Sequence, residues 1–217
     1  MNKKICLMAI MLSSSSVFAS TYVGLEYGIS SVDSKYNTYF LDDNVSLSPS
    51  ETSDSFGGFV GYKLNTFGFE LGYRQYDADA SRTQFEGITG AAPNKQYKEE
   101  TEWNADVSAK QLTFKPVYFY KINPKLQLKT GLGLTYTQYK YKSSTHSEYE
   151  MLVNDDIEYR TPRAGGETQK DNVFGMIASI GLEYNVIDRL FLGASASYQL
   201  DNMANTSSLT LTSAYYF

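Results

Sequence analysis

Apolar and polar residues alternate through eight stretches of this chain. Residues 22–30 set Val23, Leu25 and Tyr27 against Gly24, Glu26 and Gly28, and residues 56–63 place Phe56, Gly58, Val60 and Tyr62 on one side. The same period runs through residues 67–74 (Phe67, Phe69, Leu71, Tyr73), 111–120 (Leu112, Phe114, Tyr118, Tyr120) and 126–136 (Leu126, Leu128, Leu132, Leu134, Tyr136). It continues in residues 174–184, 190–198 and 207–217. A period of two is that of a strand with one apolar face, because successive side chains point to opposite sides. The spacing therefore predicts eight strands. Pro116 falls inside the fourth, where its missing N–H predicts a bulge or local irregularity.

The connections alternate too. Short turns are predicted at residues 64–66, 121–124 and 185–188, and a shorter fourth loop at 201–206. Between them stand three long polar passages, 31–54, 77–106 and 142–171, which read as loops. Together they hold about 80 residues, far more than closing three hairpins requires.

Alternation by itself does not say which face is inside. A soluble barrel hides the apolar set, whereas a membrane barrel shows it to lipid and keeps the polar set in its lumen. Three features favour the membrane. Long loops alternate with short turns, so they gather at opposite ends. The polar set is rich in Gly, Ser and Ala with a few isolated charges, where a solvated face would carry more. With both termini in the periplasm, Tyr62, Phe67, Tyr120, Tyr184, Tyr215 and Phe217 fall at the lower interface, and Tyr73, Tyr136, Tyr139 and Tyr198 at the upper one. The expected fold is all-β, an eight-stranded antiparallel transmembrane β-barrel with long extracellular loops and short periplasmic turns. The last strand would close on the first and remove both sheet edges.

Composition adds an address. Residues 1–19 carry Lys3 and Lys4, an apolar run over residues 5–12 and the sequence Val17-Phe18-Ala19, the pattern of a secretory signal peptide that leaves residues 20–217 as the barrel domain. The apolar run is shorter than the ~20 residues of a spanning helix. Cys6, the one cysteine, lies within it, so the exported chain is expected to hold no disulfide. Discounting Lys3 and Lys4 leaves 17 basic residues against 24 acidic ones, a net charge of −7. Nucleic acid is excluded as a partner, since it calls for a basic face.

The predicted lumen set contains Glu26, Glu70, Arg74, Lys115, Lys129, Glu183 and Arg189, which should pair and fill a barrel this narrow. Glu183 and Arg189 flank the third turn and are expected to be the closest pair. A gated pore is the alternative. Chemistry is sparse elsewhere. His146-Ser147-Glu148 places three reactive types side by side, but neighbouring side chains of an extended segment point apart, so no catalytic set is expected. Asp42-Asp43, Asp77 with Asp79, and Asp155-Asp156 with Glu158 offer oxygen atoms without the spacing of a calcium loop, so neither metal nor other cofactor is expected. The loops carry Tyr36, Tyr39, Phe40, Phe85, Tyr97, Trp103, Tyr149 and Tyr159, and exposed aromatics are favoured contact residues. A loop ligand on a host cell or matrix is therefore expected, in adhesion, colonisation or resistance to host factors. A barrel that only stabilises the envelope is the rival.

This architecture, with Phe217 following Tyr215, resembles the small outer-membrane proteins of the OmpA-like, OmpX and Ail type. In size and in its tyrosine-rich strands the chain is similar to the accessory colonisation factors of that superfamily. The resemblance implies a place in the bacterial outer membrane, lipid around the wall, and a monomer. It also implies that Tyr215 and Phe217 form a signal read by the barrel-assembly machinery.

Overall fold

A computed structural model of the chain describes residues 19–90, 95–154 and 156–217. The expected signal peptide lies outside them except for Ala19, which begins the first strand. The strands are β1 (Ala19–Ser34), β2 (Thr38–Phe40), β3 (Val45–Leu47), β4 (Thr52–Leu64), β5 (Phe67–Thr89), β6 (Tyr97–Lys121), β7 (Leu126–Met151), β8 (Glu158–Pro162), β9 (Thr168–Ile187), β10 (Leu190–Leu200) and β11 (Ala204–Tyr216). Eight of them form a closed antiparallel ring in the order β1, β4, β5, β6, β7, β9, β10, β11. The seam between β11 and β1 runs from Tyr22 opposite Tyr216 to Ser34 opposite Ala204.

Which set of the alternation lies inside is settled by the ring. Its apolar set points outward around the whole wall, leaving Leu25 61%, Leu132 61% and Leu211 68% exposed. Lipid, not a protein core, must cover these side chains. At one end the strands join through tight turns. Asn65 takes a left-handed φ of 57°, which asparagine tolerates. Asn123 closes the next turn by accepting the backbone N–H groups of Lys125 and Leu126, each at 2.9 Å.

At the other end two of the expected loops are largely strand. β5 and β6 pair from the rim up to Thr89 opposite Tyr97, and β6 and β7 up to Tyr97 opposite Met151. β8 adds a short fourth strand to β7. The passages 77–106 and 142–171 were hidden from sequence reading because beyond the lipid neither face is bound to be apolar. The period of two in hydropathy then fades while the backbone ladder continues. Passage 31–54 also contains structure, the β2–β3 hairpin.

Two smaller expectations are refined or corrected. Pro116 makes a local irregularity but no bulge: its pairing with β5 is in register, and the ladder to β7 skips Lys115 and Pro116, then resumes at Val117 opposite Gly131 without a shift. Tyr139 is not part of the upper girdle. Odd-numbered residues of β7 face inward, and Tyr139 is 0% exposed.

The seam is the arrangement most open to test. Ile29 and Leu209 are directly paired across it. The double variant Ile29→Cys/Leu209→Cys is expected to cross-link on oxidation and run as a reduction-sensitive species on gels. The mismatched pair Ile29→Cys/Ser213→Cys is expected not to.

Candidate functional site

The lumen is filled in layers from the turn end upward. Lowest is an aromatic layer in which Tyr22 stacks on Tyr216 with ring centroids 4.7 Å apart and meets Phe59 and Phe119 edge-on. The Lys63 ammonium sits 4.1 Å from the Phe119 ring centroid, a cation–π contact. Above it lies the ion cluster. Glu70 contacts Lys115 at 3.3 Å and also Lys129, while Lys129 contacts Glu183 at 3.0 Å. Tyr22 donates to Glu70 at 2.9 Å and Tyr216 donates to Glu183 at 3.0 Å, so the aromatic layer also supplies donors to the carboxylates. Glu26 and Arg74 form a second pair at 2.7 Å.

Next come the amides of Gln111 and Gln199, hydrogen-bonded to each other and to Thr137. A tyrosine layer follows, with Tyr76, Tyr139 and Tyr141 packed on Val32, Val107 and Ala204. Tyr139 donates to Asp201 at 2.8 Å. Within the ion cluster a cavity of about 30 Å³ is lined by Glu26, Glu70, Lys115, Lys129 and Glu183. That is room for a water molecule.

Six of the seven expected lumen charges thus meet in two groups, one of four residues and one of two. The seventh, Arg189, does not. It lies exposed in the third turn with φ 71°, and Glu183 instead bonds to Lys129, Gln127 and Tyr216. The turn falls at Asp188-Arg189, and a register shift beside Leu190 carries Arg189 off the wall. Sequence reading also missed the lumen aromatics. Their signal was phase: Tyr22, Phe59, Phe119 and Tyr216 all fall on the otherwise small and polar set.

At the far end β5 to β8 stand beyond the apolar wall as a four-stranded sheet. The β2–β3 hairpin folds onto its inner side, burying Phe40, Val45 and Leu47 against Trp103 and Ala105. Asp43 accepts the Trp103 indole N–H at 2.9 Å and pairs with Arg163 at 3.4 Å. Phe40 and Trp103 are therefore not surface contacts, at 6% and 2% exposure, because Trp103 faces inward from β6 beneath the hairpin and Phe40 lies on the face of the hairpin that packs onto it. Tyr36 is half-buried, its ring 4.2 Å from that of Tyr141. Tyr39, Phe85 and Tyr159 are exposed. Tyr97 and Tyr149 pack on Tyr159, at 5.5 and 4.7 Å between centroids, and form an aromatic cluster near the tip.

The remaining candidates separate. His146 lies 3.7 Å from the Glu102 carboxylate, and Ser147 faces the opposite side of the strand. Asp43 is occupied by Trp103 and Arg163, Asp155 lies outside the described residues, and among the described residues no three His, Cys, Asp or Glu groups converge on a metal position. Tyr215 and Phe217 point outward at the lower rim, their rings edge-on at 5.2 Å, and the Phe217 N–H donates to the Thr21 carbonyl at 2.9 Å.

A family model described as the outer membrane protein beta-barrel domain matches residues 5–217, and the chain belongs to that family. It is a protein of the bacterial outer membrane. No curated protein matches the sequence. Among solved structures, Neisserial surface protein A is similar with a TM-score of 0.53 at 15% identity, covering 92% of this chain and 99% of that one. The attachment invasion locus protein Ail of Yersinia pestis gives 0.48 at 14%, covering 93% and 100%. The N-terminal β-barrel domain of Pseudomonas aeruginosa OprF gives 0.45 at 16%, covering 91% and 97%. The first of these likenesses bears on the fold alone.

Two outcomes follow from the geometry. Lys129→Met leaves Glu183 without its cation and Glu70 with one in place of two. It should destabilise the barrel by roughly 3–5 kcal/mol, the usual cost of breaking a buried pair, read from urea unfolding in micelles. Adding Glu183→Gln is expected to recover part of the loss. Outside the wall, partial burial, with Asp79 and Asp77 beside it, holds the Asp106 carboxyl above its ordinary range. Such a group binds its proton more tightly folded than unfolded, so its contribution is present at low pH and is lost as pH rises through the folded pKa. Trp103, the only tryptophan, sits in the same sheet and supplies the readout. Its thermal transition should rise on acidification from pH 7 towards the carboxylate range, and Asp106→Asn should flatten that dependence.

Proposed function

We propose that this outer-membrane barrel is a non-enzymatic surface recognition protein, presenting its protruding sheet to host cells, extracellular matrix or host defence factors in the manner of a colonisation factor. The observation that carries this reading is the free edge of β5. From Asp77 to Thr89 this strand pairs, among the described residues, only with β6, because its ladder to β4 ends at Tyr76. An unpaired edge offers a row of N–H and C=O groups on which an extended segment of another protein can add as a further strand. Phe85 and Ile88 stand exposed along it.

The opposite edge of the sheet is built differently. β8 spans five residues, Glu158–Pro162, carries Glu158 and Arg160 and ends in proline, all features that discourage pairing. One edge is thus open and the other blunted. The aromatic cluster of Tyr97, Tyr149 and Tyr159 adds an apolar contact surface near the tip. A conducting pore is the weaker reading, since the aromatic, ionic and amide layers occupy the lumen at successive heights. In the same reading residues 1–19 are removed on export, Tyr215 and Phe217 are read by the assembly machinery, and the barrel acts as a monomer.

The test is a variant in which residues 79–104 and 143–169 are each replaced by a short turn, leaving the ring intact. It should still fold, shown by heat-modifiable gel mobility, while binding of cells displaying it to epithelial monolayers and to immobilised matrix falls to the level of cells without the protein. Undiminished binding by the folded variant would assign the protein to envelope structure instead.

A further inference from the structure

Where the ring leaves the apolar band, the outer wall changes chemistry in ordered rows. On β7 and β9 the outward pairs are Leu134 with Met176, Tyr136 with Phe174, Gln138 with Asn172, and Lys140 with Lys170. The Tyr136 and Phe174 rings lie 5.1 Å apart, and Gln138 donates to Asn172 at 3.2 Å. Lys142 follows on the same face of β7, and Lys110 of β6 pairs with Gln138. Among the described residues none of these four lysines lies within 4.0 Å of a carboxylate. Asp106 faces Lys142 across the ladder, but Lys140 and Lys170 face each other.

Like charges placed directly opposite in a ladder repel, so the Lys140–Lys170 pair calls for an anion. Its height on the wall says which one. Apolar, aromatic, amide and ammonium rows succeed one another in the order of a lipid leaflet from chains through interface to charged headgroups. Four residues at ~3.3 Å rise, tilted ~40°, lift Lys140 and Lys170 about 10 Å above the aromatic row. The adjoining sector is of the opposite sign, with Asp54, Asp77, Asp79 and Asp106 outward on β4 to β6. Any anion is therefore directed to one side of the barrel.

We infer that the β6–β7–β9 sector is a docking surface for the phosphomonoester groups of outer-leaflet lipid, whose net negative charge a zwitterionic phosphodiester headgroup lacks, with Lys110, Lys140 and Lys170 at the contact and Lys142 above them. The full-length barrel is purified from its membrane and exchanged into phosphatidylcholine nanodiscs containing either diphosphoryl lipid A or its phosphate-free form. Lipid retained through detergent extraction is then counted by native mass spectrometry. The wild type should retain the diphosphoryl form in preference to the phosphate-free one. K140Q/K170Q should retain about thirtyfold less, the change expected from losing two lysines at an anionic lipid surface. K98Q, at the hairpin tip, should retain as much as the wild type.

A melting experiment separates docking from a structural role. In phosphatidylcholine alone K140Q/K170Q should melt at or above the wild-type temperature, because repulsion is relieved. In diphosphoryl lipid A it should melt below it. Equal retention of both lipid forms, equal retention by K140Q/K170Q, or a lower melting temperature in phosphatidylcholine alone would each overturn the inference. So would inorganic phosphate stabilising the wild type as fully as the phosphorylated lipid does, since the site would then take a free anion.

Discussion

Inside the apolar band no water is present to satisfy a peptide group, so each N–H and C=O must find its partner within the chain. A sheet meets that demand only by closing. The β1–β11 seam therefore joins the two ends of the described chain, pairing Tyr22 with Tyr216. Closure also explains the tight turns at one end, where Asn65 and Asn123 hold strands that have no room to splay. The outward apolar set follows from the same solvent, since on this wall burial means contact with lipid.

A ring of eight strands is narrow, and its interior must be occupied by side chains. Here occupation is mixed in kind. Aromatic layers near the ends fill most of the section, and between them Glu70, Lys115, Lys129 and Glu183 satisfy one another at close range. Such a cluster is a poor source of net stability, because desolvation offsets much of the attraction. It does make the interior intolerant of change, since each missing partner strands a charge. The tyrosines couple the two kinds of layer: Tyr22 and Tyr216 stack on each other while donating to Glu70 and Glu183.

Beyond the lipid the constraint lifts. Water can serve an unpaired strand, and β5 runs on with one free edge while the β2–β3 hairpin shields Trp103 from the inside. Two carboxyls there are held above their ordinary range: Asp106 by partial burial first, with its acidic neighbours added, and Glu51 by sharing a hydrogen bond with Asp79. Charge of one sign is thus concentrated on β4 to β6, and lysines take the neighbouring sector. Recognition surfaces on this molecule belong to the part that the membrane does not regulate.

The alternation of residues such as Leu126, Leu128, Leu132 and Leu134 determined the eight wall strands and the short turns, and, together with the loop lengths and the small, sparsely charged polar set, their outward face. It could do so because lipid enforces a period of two on any strand crossing it. The same rule assigned Glu26, Glu70, Arg74, Lys115, Lys129 and Glu183 to the lumen. Only the tertiary structure decided their partners, because pairing across a ring depends on stagger between strands distant in sequence. It removed Arg189 from the network through a one-residue register shift and carried β7 on past Tyr136, so that Tyr139 falls on the inward phase of the continued strand. It also converted two polar passages into strand and buried Phe40 against Trp103. Nothing local encodes these outcomes: outside the bilayer no solvent imposes a pattern on the sequence, and the ladder is extended by its neighbours alone.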